Sequence, residues 1–462
     1  MHGERWNRMI DGYGRKTRFV VAMVLGFAVA SAAMADERPF VLEGLEITGN
    51  TRTPERVAWL YLGLNPGAEV TAGGLVVAVD ELRREGPFES VEFWSSPGSE
   101  KGRIVLHLDV VEKGFQFRFG MGFQDLSGWY MIPAELRYDN RFGRGEHLRF
   151  QVRLGYRTGG GWFVYEEPRA GDGRTWWGLR LGGEGVSRAY LWNGVEYNHL
   201  VNRGGLEAHV GRRFTRHLSL EWGGTIEAVE VDSTAEAAVD DKVRGVEWGD
   251  ELPFEDLPPG VAAAVGEESR GTARFDVVWD SRSEGRLAGT PVGGLWGRLR
   301  TEGVFPDESD PYPRVTGDIR AYRSLFGAVF AARVRGGYAG WDAPFYDRHY
   351  VGGLYTVRGF AEQSLTRPAG DTRFWSASLE MRAPLAGGRE APRVTGILFV
   401  EAANSWTDDD EPTWGSVAAA AGYGIRIRLP WVQWLGFDVG IPITDSPENE
   451  AFHANGTMGM TF

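Results

Sequence analysis

Phe452-His453-Ala454-Asn455-Gly456-Thr457-Met458-Gly459-Met460-Thr461-Phe462 closes the chain, and its period decides the fold. Phe452, Ala454, Met458, Met460 and Phe462 fall on one side, and His453, Asn455, Thr457 and Thr461 on the other. A period of two is that of an extended strand whose faces meet different surroundings. The apolar side is expected to face lipid, Phe462 included, and the polar side a wet interior. An edge strand of a soluble β-sandwich is the alternative.

The alternation recurs upstream. Ala273, Phe275, Val277 and Trp279 oppose Thr272, Arg274, Asp276 and Asp280; Phe330, Ala332 and Val334 oppose Arg333 and Arg335; Tyr423, Ile425, Ile427 and Leu429 oppose Arg426 and Arg428. A soluble core does not tolerate a face of arginines and aspartates, whereas a hydrated, salt-bridged lumen does. Strands of about ten residues, the length that crosses a bilayer at a tilt, run from Phe115 to the end. About sixteen are counted, the even number of a closed bacterial barrel. They begin near Phe115, Tyr130, Glu146, Trp162, Thr175, Val195, Leu218, Gly271, Leu295, Arg314, Val329, Arg373, Val394, Ser416, Leu435 and Phe452. Tight connections such as Asn140 to Gly145 are expected as periplasmic turns. The acidic segment Asp232 to Glu268, with Pro258-Pro259, is expected as an external loop, flexible relative to the strands. Asp408-Asp409-Asp410-Glu411 reads as a solvated acidic loop rather than a calcium site.

The 462 residues suggest more than one unit. With 18 Trp, 25 Phe and 65 Gly, the composition suits aromatic girdles and many bends. A net charge of −13 argues against a nucleic-acid binder, and the lack of cysteine excludes disulfides and thiolate metal sites. Arg15, Lys16 and Arg18 precede the apolar run Phe19 to Ala33, and Ala33-Met34-Ala35 is a small-x-small site before Asp36. Residues 1–35 are therefore expected as a secretory signal peptide, an uncleaved anchor helix being the alternative. The basic flank begins late, which makes Met9 a second candidate start. No later run is apolar enough for a membrane helix. Export together with alternating strands points to the outer membrane.

Residues 36–113 read differently. Val41 to Asn50 alternates as a strand, and Pro54 opens a helix with Val57, Leu60, Tyr61 and Leu64 along one face, Thr53 being its expected N-cap. A second helix runs from about Ala72 to Glu85 on Leu75, Val79 and Leu82, and Gly86-Pro87 ends it. Phe88 to Trp94 and Arg103 to Val111 follow as strands around Pro97-Gly98.

Gly352-Gly353 and Val357-Arg358-Gly359-Phe360 lie in a long segment between two amphipathic strands. An arginine folded back into a pore needs a carboxylate partner, because an unpaired buried charge is costly. The next two strands supply two. Ser376, Ser378, Glu380 and Arg382 share the inner face of one; Leu398, Val400 and Ala402 face lipid on the other, so Phe399 and Glu401 point inward. A solvent-exposed loop arginine is the alternative. Gly359 fits a tight loop tip where a side chain would clash.

These features together resemble the BamA/TamA superfamily of outer-membrane insertases and translocases, also called bacterial surface antigens. Val357, Arg358, Gly359 and Phe360 match the signature of its sixth external loop. Phe399-x-Glu401-x-Ala403 stands where family members commonly show Phe-x-Asp-x-Gly. The terminal Phe462 resembles the recognition signal of outer-membrane barrels, and the Trp279 to Gly293 stretch, with Asp280, Arg282 and Pro291, resembles a recurrent family turn. The strand-helix-helix-strand-strand order of residues 36–113 looks like one POTRA domain, an unrelated small α/β domain being the alternative. The resemblance covers nearly all of the mature chain. It implies a 16-stranded antiparallel transmembrane β-barrel at 114–462 behind one periplasmic POTRA-like domain. Implied partners are outer-membrane lipid, an unfolded client polypeptide or barrel precursor held by strand addition, and the barrel assembly machinery for its own insertion. The first and last strands of such barrels pair weakly.

The sequence holds no Gly-x-Ser-x-Gly elbow, P-loop or clustered metal-ligand pattern. An enzyme is not expected, and neither a cofactor nor a metal is called for. Two functions remain: insertion or translocation of polypeptides, and a passive or structural pore sealed by its loop.

Overall fold

The computed structural model describes residues 39–462 apart from 125–127, 156, 284, 411–415, 430–433, 446–450, 459 and 461. The signal segment expected at 1–35 and the side chain of Glu411 lie outside the described residues.

The N-terminal unit begins with strand β1 (Phe40–Thr48), helix α1 (Glu55–Leu62), the short strand β2 (Ala68–Val70) and helix α2 (Ala72–Glu85). Strands β3 (Phe88–Pro97) and β4 (Arg103–Glu112) complete it. Their sheet runs β2-β1-β4-β3, β1 being parallel to β4. The helices form because their apolar residues recur at helical spacing and bury against this sheet. Val57, Ala58, Tyr61 and Leu62 of α1 and Leu75, Ala78, Val79 and Leu82 of α2 share one core with Leu42, Phe88, Leu106 and Leu108. The Thr71 hydroxyl caps α2 by accepting from the Gly74 amide at 3.1 Å. Thr53 does not cap α1: position N-cap falls to Pro54, which has no side-chain cap. The Thr53 hydroxyl instead donates to Glu112 at 2.6 Å and accepts from Asn140 at 2.6 Å. That carboxylate outcompetes the helix end because it gathers the Thr51 hydroxyl and the Arg52 and Thr53 amides as well.

From Phe115 the chain is strand after strand. In order they are β5 (Phe115–Gln124), β6 (Gly128–Asp139), β7 (His147–Gly155), β8 (Thr158–Ala170), β9 (Thr175–Trp192), β10 (Val195–Arg213) and β11 (Leu218–Val231). Two fragments follow, β12 (Ala235–Ala237) and β13 (Glu251–Leu252), then β14 (Gly266–Asp280). A small hairpin, β15 (Arg286–Leu287) and β16 (Thr290–Pro291), precedes β17 (Gly293–Pro306), β18 (Tyr312–Leu325) and β19 (Ala328–Ala339). The last are β20 (Arg373–Gly387), β21 (Pro392–Trp406), β22 (Ala418–Ile427), β23 (Leu435–Pro442) and β24 (His453–Met458). Without the four fragments these are sixteen long strands in one antiparallel sheet, closed where β24 meets β5. Closure leaves no free barrel edge, as a membrane barrel requires.

Side chains sort as the alternation demands. Phe117, Leu181, Ile226, Ile319, Leu398, Val400, Tyr423 and Phe437 are exposed on the outside, a belt suited to lipid. Asp276, Glu380, Arg382, Glu401, Arg426 and Asp438 are buried on the inside. The inner charges pair across strands: Asp276 binds Arg298 and Arg300, each at 2.8 Å, and Asp318 binds Arg320 at 2.8 Å and Arg333 at 2.7 Å.

The two rims differ. The N-terminal unit sits on the rim of short turns. Tyr61 donates to the Gly145 carbonyl at 3.1 Å, and Arg169 at the end of β8 bridges Glu81 and Glu85 of α2. The segments 232–265 and 340–372, and the described residues 407–410 and 416–417, emerge at the other rim. The acidic segment 232–265 is more ordered than its composition suggests. It extends the wall through β12 paired with β10, and it buries Leu257 and Val261 against Phe345 and Tyr346 of the segment 340–372. Asp408 and Asp410 are not simply solvated, since they pair with Arg373 and Arg367.

Candidate functional site

Segment 340–372 leaves β19 and folds back into the lumen. Its tip is anchored by apolar residues on either side of the arginine: Val357 and Phe360 pack with Val351, Phe374, Ala403, Ala418 and Ala420. This seats Arg358, fully buried, against the inner faces of β20, β21 and β23. The backbone approaches the wall closely. A Cβ on Gly359 would lie 2.6 Å from the Ala420 methyl, and one on Gly440 would lie 2.5 Å from the Arg358 carbonyl carbon. Both glycines are needed for contact, not for an unusual φ.

Arg358 meets three carboxylates. Its Nη2 is 2.5 Å from Glu380 Oε1 and 2.6 Å from Glu401 Oε1, and its Nη1 is 3.2 Å from Asp438 Oδ2. Its Nε and main-chain NH also donate to Glu401, at 3.0 and 2.8 Å. The guanidinium lies over the Phe399 ring, 3.6 Å from the centroid. Two wall arginines complete the cluster: Arg382 pairs with Glu380 at 2.7 Å and Arg426 with Asp438 at 2.7 Å. Three buried acids thus face three buried arginines, so that each buried charge has partners to offset its lost hydration. The structure brings together Arg358, Glu380 and Glu401 and adds Asp438, which sequence reasoning did not single out. Its signal was the inward Arg426, which needs an acid on a neighbouring strand; in register Asp438 faces Gly424, a residue without a side chain to obstruct it.

The tip also touches the strand at which the barrel closes. Asn455 of β24 donates its Nδ2 to the Arg358 carbonyl at 2.9 Å. The loop therefore spans β20 through β24 from the inside.

Phe462 is not on the lipid face. Its ring lies 4.6 Å from the guanidinium carbon of Arg382 and 5.8 Å from that of Arg333, both on the inner wall. Among the described residues the β24 ladder is seen as far as Met458 opposite Leu435, and the Phe462 ring does not follow its alternation. Cation–π contact and packing then draw the terminal ring inward. Leu287 of the β15–β16 hairpin packs beside it on Tyr322, Val329 and Ala331. The same hairpin donates the Ala288 amide to the Arg389 carbonyl at 3.0 Å and accepts from Thr395 at its own Ala288 carbonyl. Within the Trp279–Gly293 stretch, the β15–β16 hairpin is thus a lid folded over the short-turn rim. Asp280 and Arg282 within it form an ion pair at 2.6 Å.

A closed sixteen-stranded barrel, with a long rim loop folded inside onto a buried arginine–carboxylate cluster, defines an outer-membrane β-barrel protein. Residues 140–462 match the Omp85 superfamily domain, and the chain belongs to that superfamily. Its members are outer-membrane insertases and transporters of proteins. Among solved structures, the fold is similar to BamA from Haemophilus ducreyi lacking POTRA domains 1–3, at a TM-score of 0.64 and 18% identity over 91% of this chain and 85% of that one. It is similar to CdiB from Acinetobacter baumannii, at 0.58 and 14% over 90% and 73%, and to CdiB from Escherichia coli, at 0.52 and 11% over 93% and 91%. At these identities the likeness concerns the fold.

Proposed function

We propose that this protein inserts barrel precursors into the outer membrane or passes polypeptides across it, with residues 36–113 acting as a single periplasmic POTRA-like domain. In this reading residues 1–35 are the export signal and 114–462 the membrane barrel. The match to BamA supports the domain assignment, because it covers 91% of this chain, more than strands beginning at Phe115 supply.

The observation that carries the reading is the Arg358–Asn455 hydrogen bond. A plug that only sealed a pore needs no attachment to the closing strand. Here the arginine signature is bonded to the strand that must part from β5 if a client is to pair with the barrel or leave it sideways. Among the described residues that strand has six, against fifteen each for β20 and β21, which favours its release. No covalent chemistry is involved; the protein would lower a barrier by lending a strand edge. The N-terminal sheet supplies a place to hold the client. β3 is a ten-residue edge strand paired only with β4, with Arg83 Nε on the Val91 carbonyl. Strand addition there is tolerant of client sequence, because the bonds are main-chain bonds.

The test is photocrosslinking of an unfolded barrel precursor to the protein in liposomes, with the reactive group at Glu92 on β3 or at Asp80 on α2. Adducts from Glu92 and not from Asp80 are expected. No adduct from either leaves the passive or structural pore as the reading.

A further inference from the structure

Away from the Arg358 cluster, a second part of the segment 340–372 faces the opposite inner wall across a cavity of about 220 Å³. Five arginines line it: Arg188 of β9, Arg203 of β10, Arg314 of β18, Arg335 of β19 and Arg348 of the segment itself. Only two carboxylates do, Asp347 and Glu362. Both are already engaged. Asp347 is fully buried and shared by Arg203 at 3.1 Å, Arg314 at 3.3 Å and Arg270 at 2.8 Å; Glu362 binds Arg157 at 3.1 Å. Glu302 stands 3.8 Å from Arg314.

Arg188 is the least compensated. Among the described residues no carboxylate lies within ion-pair distance of it, and its one hydrogen bond is from Nη2 to the Tyr346 carbonyl at 3.1 Å. Its charged neighbours are Arg203 and Arg314 and, beyond ion-pair distance, the Asp347 carboxylate that those two arginines already share. Its Nε is buried without an acceptor, as is the Nε of Arg314. Two guanidinium N–H groups on one cavity without acceptors, amid like charges, are a standing cost unless an anion takes them. We propose that this cavity binds phosphate, as the free anion or as a soluble phosphomonoester.

The charge count selects the class. With Glu302 counted beside the two lining acids, five cations face three anions, which leaves two in excess. A dianion offsets both, and a carboxylate or chloride offsets one. Guanidinium groups present paired N–H donors that match the oxygens of a tetrahedral oxyanion. The cavity lies inside the wall, with strands between it and the bilayer, so the anion comes from solution and not from a membrane lipid. It would join Arg188 and Arg335 of the wall to Arg348 of the segment, beside the Tyr346 carbonyl that already accepts from Arg188, and so fasten the inserted loop. The site is independent of whether the protein handles a client.

The full-length protein in detergent is titrated with inorganic phosphate by calorimetry, and with acetate at the same ionic strength. Wild type is expected to bind phosphate saturably and to melt at higher temperature with it, and acetate is expected to do neither. Arg188→Gln and Arg335→Gln should each weaken phosphate by roughly tenfold or more, and Arg216→Gln, on an exposed turn at the other rim, should not. Heat-dependent gel migration confirms that each variant is a folded barrel. Wild type without saturable phosphate binding, equal binding of acetate, or phosphate binding unchanged in folded Arg188→Gln and Arg335→Gln would each overturn the proposal.

Discussion

The Glu401 carboxylate accepts three hydrogen bonds from Arg358: from the main-chain NH at 2.8 Å, from Nε at 3.0 Å and from Nη2 at 2.6 Å. One acid therefore fixes both the backbone of the loop tip and the plane of its guanidinium, leaving Nη1 and Nη2 to reach Asp438 and Glu380. The Glu401 side chain thereby spans main chain and side chain of Arg358 together.

Arg358→Ala should release the tip while leaving the barrel intact. Removing one member of a buried charge cluster costs about 3–5 kcal/mol, here because three acids are left with two arginines. Hydrogen exchange at residues 357–360 should accelerate by on the order of a hundredfold or more. Strand amides in β14 and β17 should not change. Arg358→Lys should restore little, because a point charge cannot make the bidentate contact. Unchanged exchange at the tip in Arg358→Ala would contradict the account.

The junction between the N-terminal unit and the barrel should be acid-sensitive. Burial raises the Glu112 pKa, but hydrogen bonds from Thr53, Thr51 and the Arg52 amide outweigh it and hold the carboxyl well below its ordinary 4.5. A depressed folded pKa means that the released form takes up the proton first. The contribution is therefore complete above about pH 4.5 and lost as pH falls below it toward the folded value. Spin-label distances between the Thr51–Thr53 turn and the Asn140–Gly145 turn should be narrow at pH 7 and broaden near pH 3. Glu112→Gln should be broad at both, and a wild-type distance insensitive to acid counts against the latch.

Arg169 is the second point of attachment, bridging Glu81 and Glu85 with its guanidinium near the Tyr61 ring, 5.5 Å from its centroid. Charge-assisted hydrogen bonds of this kind contribute about 1.5–3 kcal/mol each. Arg169→Ala should widen the distribution of domain orientations seen by electron–electron resonance between α2 and β9. A distribution identical to wild type would mean that the unit is held elsewhere.

The inward Phe462 depends on the β15–β16 lid. Leu287→Asp places a charge where the lid and the terminal ring share an apolar patch with Tyr322, Val329 and Ala331. In a Phe462→Cys background that substitution should speed maleimide labelling of the detergent-solubilised protein. Equal labelling rates would show that the lid does not hold the chain end.

Much of this was legible in the sequence, and the parts that were not have physical causes. The long strands could be read because an apolar outside and a charged inside give maximal contrast, as at Leu398–Glu401 and Phe275–Asp276. Arg358 could be matched to Glu380 and Glu401 because their strands follow the loop directly. Asp438 was missed because Gly436 and Gly440 flank it on its own face, so β23 shows little contrast. The inward turn of Phe462 was missed because alternation extrapolates the facing of a strand to its last residue, and the Phe462 ring does not follow it. The order of segment 232–265 was missed because its core is made with Phe345 and Tyr346, about a hundred residues away, and no local pattern announces such a contact. The arginine-lined cavity arises in the same way, from residues that no window of sequence holds together.

The central claim is that the β24–β5 join opens for a polypeptide, and the chain's lack of cysteine makes the join testable with one introduced pair. One cysteine in each strand, oxidised, locks the join; reduction frees it. Folding of an unfolded barrel precursor into liposomes is then followed with reduced protein, oxidised protein and none. The account predicts that reduced protein speeds precursor folding, while oxidised protein leaves it at the rate of empty liposomes. Identical precursor folding in all three would contradict it.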